Sequence, residues 1–522
     1  MFRYSLELVV FLAGAAVMIL ELTGSRLLAP YLGTSIFVWT SLIGIILACL
    51  SFGYWLGGRT ADRFPRPSVL ALMLLGAGLW MGLLSLLADR TIIFTMSALG
   101  DLRSSATVVS VFLFGVPSVL LGMVSPFAAR LRIASVDRAG TTVGNLYALS
   151  TMGSILGTFL AGFVLIAYLS NPAILRLLFV LLVVTSFLAS PRGLLPLRGS
   201  LVLVVGLLMV LRPAGLRASV LENLVDVNTL YSRAWIYDRD LEVDGKMLRT
   251  RFLRIGIENS GAMFLNYWGN VFDYPAFFDL GLHFKPETKK TLMIGGGSYT
   301  YPGLFLHEHP EATMDVVEID PGVTEIAREY FFLEDNPRMR IFHEDGRVYL
   351  NRTEEQYDVI FVDAFKSYFY IPQHLVTVEA VEAMSDALVP DGALCVNLLG
   401  TLEGAGSEII HAVYATFSEV FPRVYLFPVQ FPEDGSESQN IMLVALKSAD
   451  PPAFTSDTET WNELLGHRWT EEIPLDRKPL RDSFAPVEHY VSKAIPRAWE
   501  EVAGTLLGRN DLIKAKPVSN ER

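Results

Sequence analysis

Residues 291–302 read TLMIGGGSYTYP. An apolar run goes straight into three glycines at the start of a helix, which reads as a buried strand ending in a tight turn. The pattern continues downstream. MDVVEID (314–320) is a second strand ending in acids, and PGVTEIAREYF (321–331) is a helix. MRIFHEDG (339–346) and YDVIFVDAF (357–365) are a third and a fourth strand. VTVEAVEAMSDAL (376–388) is a helix, GALCVNLLG (392–400) a fifth strand, EIIHAVYATFSEVF (408–421) a helix and NIMLVAL (440–446) a late strand. Short apolar strands between amphipathic helices predict an α/β domain with a doubly wound, mostly parallel, Rossmann-like sheet.

Ligands of such sheets sit beyond the carboxyl ends of the strands. Gly295, Gly296, Gly297 and Ser298 end the first strand. Glycine lets the backbone approach a ligand and tolerates positive φ. A dinucleotide fingerprint would need a further glycine at 300, which is Thr300. Glu318 ends the second strand, 23 residues after Gly295, where an acid can accept from ribose hydroxyls. Asp345, before Gly346, ends the third, where a carboxylate can accept from an adenine amino group. Asp363 ends the fourth. Singly, each acid reads as a solvated strand end or a helix cap. Together they outline a nucleoside site with no phosphate clamp, since no Walker sequence is present and no Lys or Arg sits at the glycine turn.

Before this domain, SRAWIYDRDLEVDG and MLRTRFLRIGI flank Asp244–Gly245 and predict a small antiparallel hairpin subdomain, with DYPAFFDLGLHF (273–284) as a short helix. Further upstream the chain changes character. Apolar runs near 6–24, 36–57, 68–88, 106–127, 143–168 and 173–189 each approach the roughly 20 residues that cross a hydrocarbon core. A shorter run, 200–211, reads as a half-span or interfacial helix. Gly153, Gly157, Ala161 and Gly162 are expected to let spans approach closely. Arg59, Arg63 and Arg66, then Arg130, Arg132 and Arg138, then Arg192 and Arg198 mark alternate connections, which puts the N-terminus and these loops in the cytoplasm. An even number of spans also puts the acidic domain there, where a cytosolic cofactor can reach it. Glu21, close to Arg26, and Asp62, in the loop GGRTADR, are acids in or near the spans, read either as functional groups or as ion pairs.

Composition supports this division. Of 522 residues, 52% are hydrophobic and 18% charged, which excludes a disordered chain. Residues 1–211 hold 13 arginines, no lysine and 6 acids; the remainder holds 29 basic and 48 acidic residues. The acidic part is a poor match for a nucleic-acid backbone. Two cysteines, Cys49 and Cys395, exclude a disulfide scaffold or a cysteine zinc site, and no metal is expected. The predicted divisions are a multi-pass domain (1–211), a linker and small β subdomain (212–290), the nucleoside-binding domain (291–450) and a tail with a helix (451–522).

GGGSYTYP, VVEID, HEDG, YDVIFVDAF and PDGALCVN, in this order and spacing, resemble the spermidine synthase-like branch of class I S-adenosylmethionine-dependent transferases. The resemblance covers about residues 225–450, and DSFAPVEHY (482–490) is similar to a tail motif of bacterial members fused to several spans. It implies that Gly295–Gly297, Ser298 and Glu318 hold the methionine-derived and ribose parts of S-adenosylmethionine or its decarboxylated form, with Asp345 and Gly346 at the adenine. Asp363 matches the first acid of the family's post-strand motif, and Tyr274 matches a tyrosine flanking the amine. Two positions depart from the family: Ser298 replaces an Asp, and Lys366 replaces a second acid. Lys366 would repel a diamine if desolvated nearby, so it is a candidate contact for the substrate, or for a carboxylate on the cofactor.

The expected reaction is in-line displacement at a sulfonium carbon, with Asp363 as base or amine anchor. Tyr274, Tyr299 and Tyr301 are candidate walls of the site, with packing as the alternative, and His374 is a candidate base, with a cap or core role as the alternative. Three functions follow: aminopropyl transfer to an amine, methyl transfer to a membrane-associated or anionic acceptor, or polyamine or nucleoside sensing or transport without turnover. The expected partners are a small amine or membrane-associated acceptor and the lipid bilayer of the cell membrane, with a homodimer as a candidate assembly.

Overall fold

The computed structural model describes residues 5–99, 101–133, 139–190, 195–210, 222–243, 245–256, 258–267, 269–364, 371–404, 406–475 and 477–491. Lys366, Asp244, Arg138, Arg192 and the start of the linker, 212–221, lie outside them. The chain forms two compact units, Met1–Ala218 and Ser219–Arg522.

The first unit contains six helices long and apolar enough to cross a membrane: Ser5–Leu32, Ile36–Arg63, Pro67–Leu99, Leu102–Arg132, Ala139–Tyr168 and Asn171–Ala189. They extend past the apolar runs because polar end turns continue the helical hydrogen bonding. Asp62 therefore lies in the last turn of the second helix rather than in a loop, paired with Arg130 at 3.1 Å. Arg26 donates to the Ile166 carbonyl. The seventh helix, Leu195–Val210, has 16 residues, about 24 Å at 1.5 Å per residue, short of a hydrocarbon core of about 30 Å.

Small residues bring helices together as expected at two of the four positions named. A Cβ on Gly153 would lie 1.9 Å from the Phe11 carbonyl oxygen, and one on Gly157 would lie 2.5 Å from that of Ala15. Ala161 is buried. Gly162 is the exception: among the described residues nothing lies within 4 Å of its Cβ position, so it faces outward.

The second unit opens with four antiparallel strands in sequence order: β1 (Glu222–Asn228), β2 (Arg233–Val243), β3 (Lys246–Ile255) and β4 (Glu258–Phe264). The sequence pattern revealed the β2–β3 hairpin but not its flanking partners. One face packs Ala234, Ile236 and Leu253 on Val323 and Ile326, from the helix Pro321–Tyr330. Arg251 joins Asp238 at 2.7 Å and the Tyr330 carbonyl at 3.0 Å.

A seven-stranded sheet follows: β5 (Lys290–Ile294), β6 (Thr313–Val317), β7 (Met339–Phe342), β8 (Tyr357–Val362), β9 (Leu388–Gly400), β10 (Arg423–Pro428) and β11 (Gln439–Leu446). Their order is β10-β11-β9-β8-β5-β6-β7. The five strands from β9 to β7 are parallel, and β10 and β11 are antiparallel. The chain leaves β5 toward β6 and β7, then returns to the other side of β5 as β8. Strand order therefore reverses between β5 and β8, where ligand crevices open in such sheets. Segment 273–284 forms two short helices, Tyr274–Phe277 and Leu280–Phe284.

Candidate active site

Strand register assembles the site. Ile294 pairs with Val317 and with Val362, Val317 with Phe342, and Val362 with Val396. The next residues form one row along the strand ends: Asn397, Asp363, Gly295, Glu318 and His343. Gly295 has φ +97°, and a Cβ there would lie 2.4 Å from the Asp363 carbonyl oxygen, so only glycine fits.

Glu318 is buried, and it braces the glycine turn. Its Oε2 accepts from the Gly296 amide at 3.0 Å and the Gly297 amide at 3.4 Å, and Oε1 accepts from the Asp320 amide at 2.9 Å. The Ser298 hydroxyl is 2.7 Å from that of Thr300, and a Cβ on Gly261 of β4 would lie 2.3 Å from it. The small sheet thus covers the turn.

Tyr299 does not wall an open site. It is left-handed at φ +57°, 3% exposed, and its hydroxyl meets Thr324 at 2.7 Å. Burial pushes its phenol up. Tyr301 is a core residue packed on Phe278, Phe305 and Phe361, with its hydroxyl donated to Asp279 at 3.2 Å. In both, the aromatic ring fills the interior on which the helix after the turn rests.

Asp345 caps the helix Gly346–Arg352, accepting from the Arg347 and Val348 amides on Oδ1. Its Oδ2 is 3.1 Å from His374 Nε2. His374 is therefore engaged at Asp345 and is not among the partners of Asp363. Gly346 packs under Ile294, whose Cγ2 would lie 2.7 Å from a Cβ there.

Asp363 is the chemically distinctive group. Oδ2 accepts from the Tyr274 hydroxyl at 3.0 Å, and Oδ1 from Asn397 Nδ2 at 2.9 Å. Burial raises its carboxyl above the ordinary value, while the Asn397 and Tyr274 hydrogen bonds pull it partly back. Tyr274 is raised well above the usual phenol value by burial, the Asp363 charge and that hydrogen bond. It stacks on Phe272 with ring centroids 6.0 Å apart.

The sequence reading missed Asn397 as a site residue. Its Oδ1 accepts from Asn440 Nδ2 at 3.0 Å, and Asn440 Oδ1 faces Gln430 Nε2 at 3.4 Å. The available signal was position: PDGALCVN ends one residue beyond the register partner of Val362. Among the described residues, no group of three His, Cys, Asp or Glu is arranged to hold a metal.

The sheet around this candidate site has a Rossmann-like transferase fold, and comparisons with known proteins give the family. Residues 276–452 match the spermine/spermidine synthase domain. The polyamine aminopropyltransferase of Vibrio vulnificus is 33% identical over 233 residues, 41% of this chain and 74% of that protein. An N-terminal histidine N-methyltransferase of Emericella nidulans is 30% identical over 184 residues, 34% of this chain and 31% of that protein. A crystal structure of a probable spermidine synthase from Corynebacterium glutamicum aligns at 21% identity and TM-score 0.40, covering 52% of this chain and 94% of that one. The chain belongs to the spermine/spermidine synthase family, and its catalytic kind is that of a transferase.

Proposed function

We propose that the protein is a membrane-embedded transferase that moves an aminopropyl group from decarboxylated S-adenosylmethionine to an amine. The observation that carries this reading is Asp363, bracketed by the neutral donors Tyr274 and Asn397 where strand order reverses. The Gly295 cradle and the amide-braced Glu318 fit the nucleoside part of that co-substrate, and the Asp345–His374 pair fits its base. When bound, the co-substrate supplies an electrophilic carbon next to a sulfonium. A primary amine, with pKa near 10, must shed a proton to attack. Asp363 takes that proton as the new C–N bond forms and the C–S bond breaks, releasing a thioether. Burial makes Asp363 a stronger base than a solvated carboxylate.

Six apolar helices and alternating Arg-rich connections support embedding in the cell membrane with the second unit in the cytoplasm. Methyl transfer is the second reading, supported by the methyltransferase relative and by Ser298 in place of a carboxylate.

Full-length protein in detergent, given either co-substrate form and a panel of amines, separates the readings by product. 5′-Methylthioadenosine together with an aminopropylated amine supports the first, S-adenosylhomocysteine the second. Binding without either product refutes both and leaves a non-catalytic sensor or transporter.

A further inference from the structure

The tail motif DSFAPVEHY plays no part in the chemistry above, yet its first residues bind directly behind the nucleoside end of the site. Arg481 and Phe484 close a turn by mutual backbone hydrogen bonds at 3.2 and 2.9 Å. Leu480, buried in front of the turn, accepts from the Val378 amide at 2.8 Å. Val378 opens the helix Val378–Asp386, and its amide has no acceptor within that helix. Thr377 occupies the capping position but makes no capping hydrogen bond; its hydroxyl is donated to Asp482 Oδ1 at 2.6 Å. The tail therefore caps this helix in place of the residue that would ordinarily do so.

Asp482 reaches further. Its amide donates to Glu379 Oε2 at 2.9 Å, and its Oδ2 accepts from Arg347 Nη2 at 3.2 Å. The Arg347 side chain is 15% exposed and its Nη1 lies 3.5 Å from the His374 carbonyl oxygen. The Arg347 amide donates to Asp345 Oδ1 at 2.8 Å. Asp482 thus grips, through one guanidinium and one hydroxyl, both elements that carry the Asp345–His374 pair.

Resting on the nucleoside reading of that pair, we infer that Leu480 and Asp482 are positioning residues for the nucleobase end of the site, with Asp482 acting through Arg347 and Thr377. They touch no reacting atom. Their loss should loosen nucleoside binding and leave the displacement step intact once the site is filled.

The test uses full-length protein in detergent and 5′-methylthioadenosine, which carries the nucleoside without the amine-bearing chain. Asp482→Asn keeps the shape and removes the negative charge that faces Arg347. Its dissociation constant should rise at least about fivefold, the loss of one partly exposed charged hydrogen bond. KM for the sulfonium co-substrate should rise in step, with KM for the amine and kcat unchanged. Glu419→Ala, which removes the carboxylate that meets the Arg481 side chain, should leave all four as in the parent. Equal affinity in a folded Asp482→Asn variant overturns the inference, as does a fall in kcat with affinity retained. Should Asp482→Asn fail to fold, Thr377→Val tests the same grip, with an affinity loss expected and unchanged affinity overturning it. If the parent itself binds no adenosyl compound, the nucleoside reading fails, and that result is distinct from a parent that binds and a variant that binds equally.

Discussion

Replacing Asn397 by leucine tests the proposed chemistry most directly. Leucine keeps the branched outline of asparagine, so the change removes the N–H donor from Asp363 Oδ1, and with it the acceptor of Asn440, without opening a cavity. The 2.9 Å hydrogen bond is made to a carboxylate, and such bonds contribute about 1.5–3 kcal/mol. At 1.36 kcal/mol per tenfold change, its loss strengthens proton binding by Asp363 roughly tenfold to a hundredfold. The direction follows from causes already present. Burial raises this carboxyl, and Asn397 is the larger of the two hydrogen bonds opposing that rise. Tyr274, the other group in contact with the carboxylate, is itself held neutral by burial and stays a donor. If Asp363 must be ionised to accept the amine proton, the acid limb of kcat/KM against pH moves to higher pH in Asn397→Leu. Activity above the limb should recover most of the parent value. Asn440→Leu, which touches Asp363 only through Asn397, should move the limb the same way but less. The assay is initial-rate kinetics across pH with co-substrate saturating. An unmoved limb in a folded Asn397→Leu protein would refute the assignment of Asp363 as the base.

Asp363→Asn should abolish turnover and yet not destabilise the protein at neutral pH. A carboxyl raised on folding favours the folded state fully only below its unfolded value, near 4, and loses that contribution as pH rises through the elevated folded value; thermal melts should therefore show the variant's relative stability falling on acidification, and a variant that gains on acidification refutes this sign. Glu318→Ala should weaken binding of either adenosyl sulfonium at least tenfold, about 1.4 kcal/mol, by calorimetry, because the brace on the Gly296 and Gly297 amides goes with it; unchanged affinity would remove Glu318 from the site. Tyr274→Phe should lower kcat/KM while Tyr301→Phe leaves it intact, since only the first hydroxyl meets Asp363; equal effects would argue for packing alone. Reporter fusions after residue 217 should give a cytoplasmic signal, and an external one would make use of a cytosolic co-substrate untenable.

Four of the five parallel strands were readable as short apolar runs that end at or near an acid or glycine, since burial on both faces demands apolar composition; β7, at the sheet edge, is only half-buried and is followed by His343. The six apolar helices were readable for a similar reason, although their ends were not. Asp62 shows why: polar residues in the last turn continue a helix without any hydropathic signal. β1 and β4 escaped because they sit at the edges of a small sheet, where one face needs no apolar side chain. Asn397 was hidden for another reason. A neutral amide at a strand end is unremarkable in one dimension, and its role exists only because three strands share a register. Tyr299 and His374 were each left with two readings because a sequence gives proximity along the chain, while their partners, Thr324 and Asp345, lie on other elements.

The way Asp363 is held also bears on what it can do. A guanidinium in direct contact would keep the carboxylate ionised but lower its affinity for a proton, and a dry pocket without donors would leave it protonated. Two neutral donors within about 3 Å hold the middle ground, because each stabilises the charge without adding one. The amide chain makes the arrangement one-directional. The Gln430 side-chain carbonyl accepts from the Asn440 backbone amide at 3.0 Å, so Gln430 presents its NH₂ to Asn440, Asn440 to Asn397, and Asn397 to Asp363. Turning any one amide over would set two acceptors or two donors face to face. A backbone group on β11 therefore fixes the donor that meets the carboxylate, and the base is oriented before any substrate arrives.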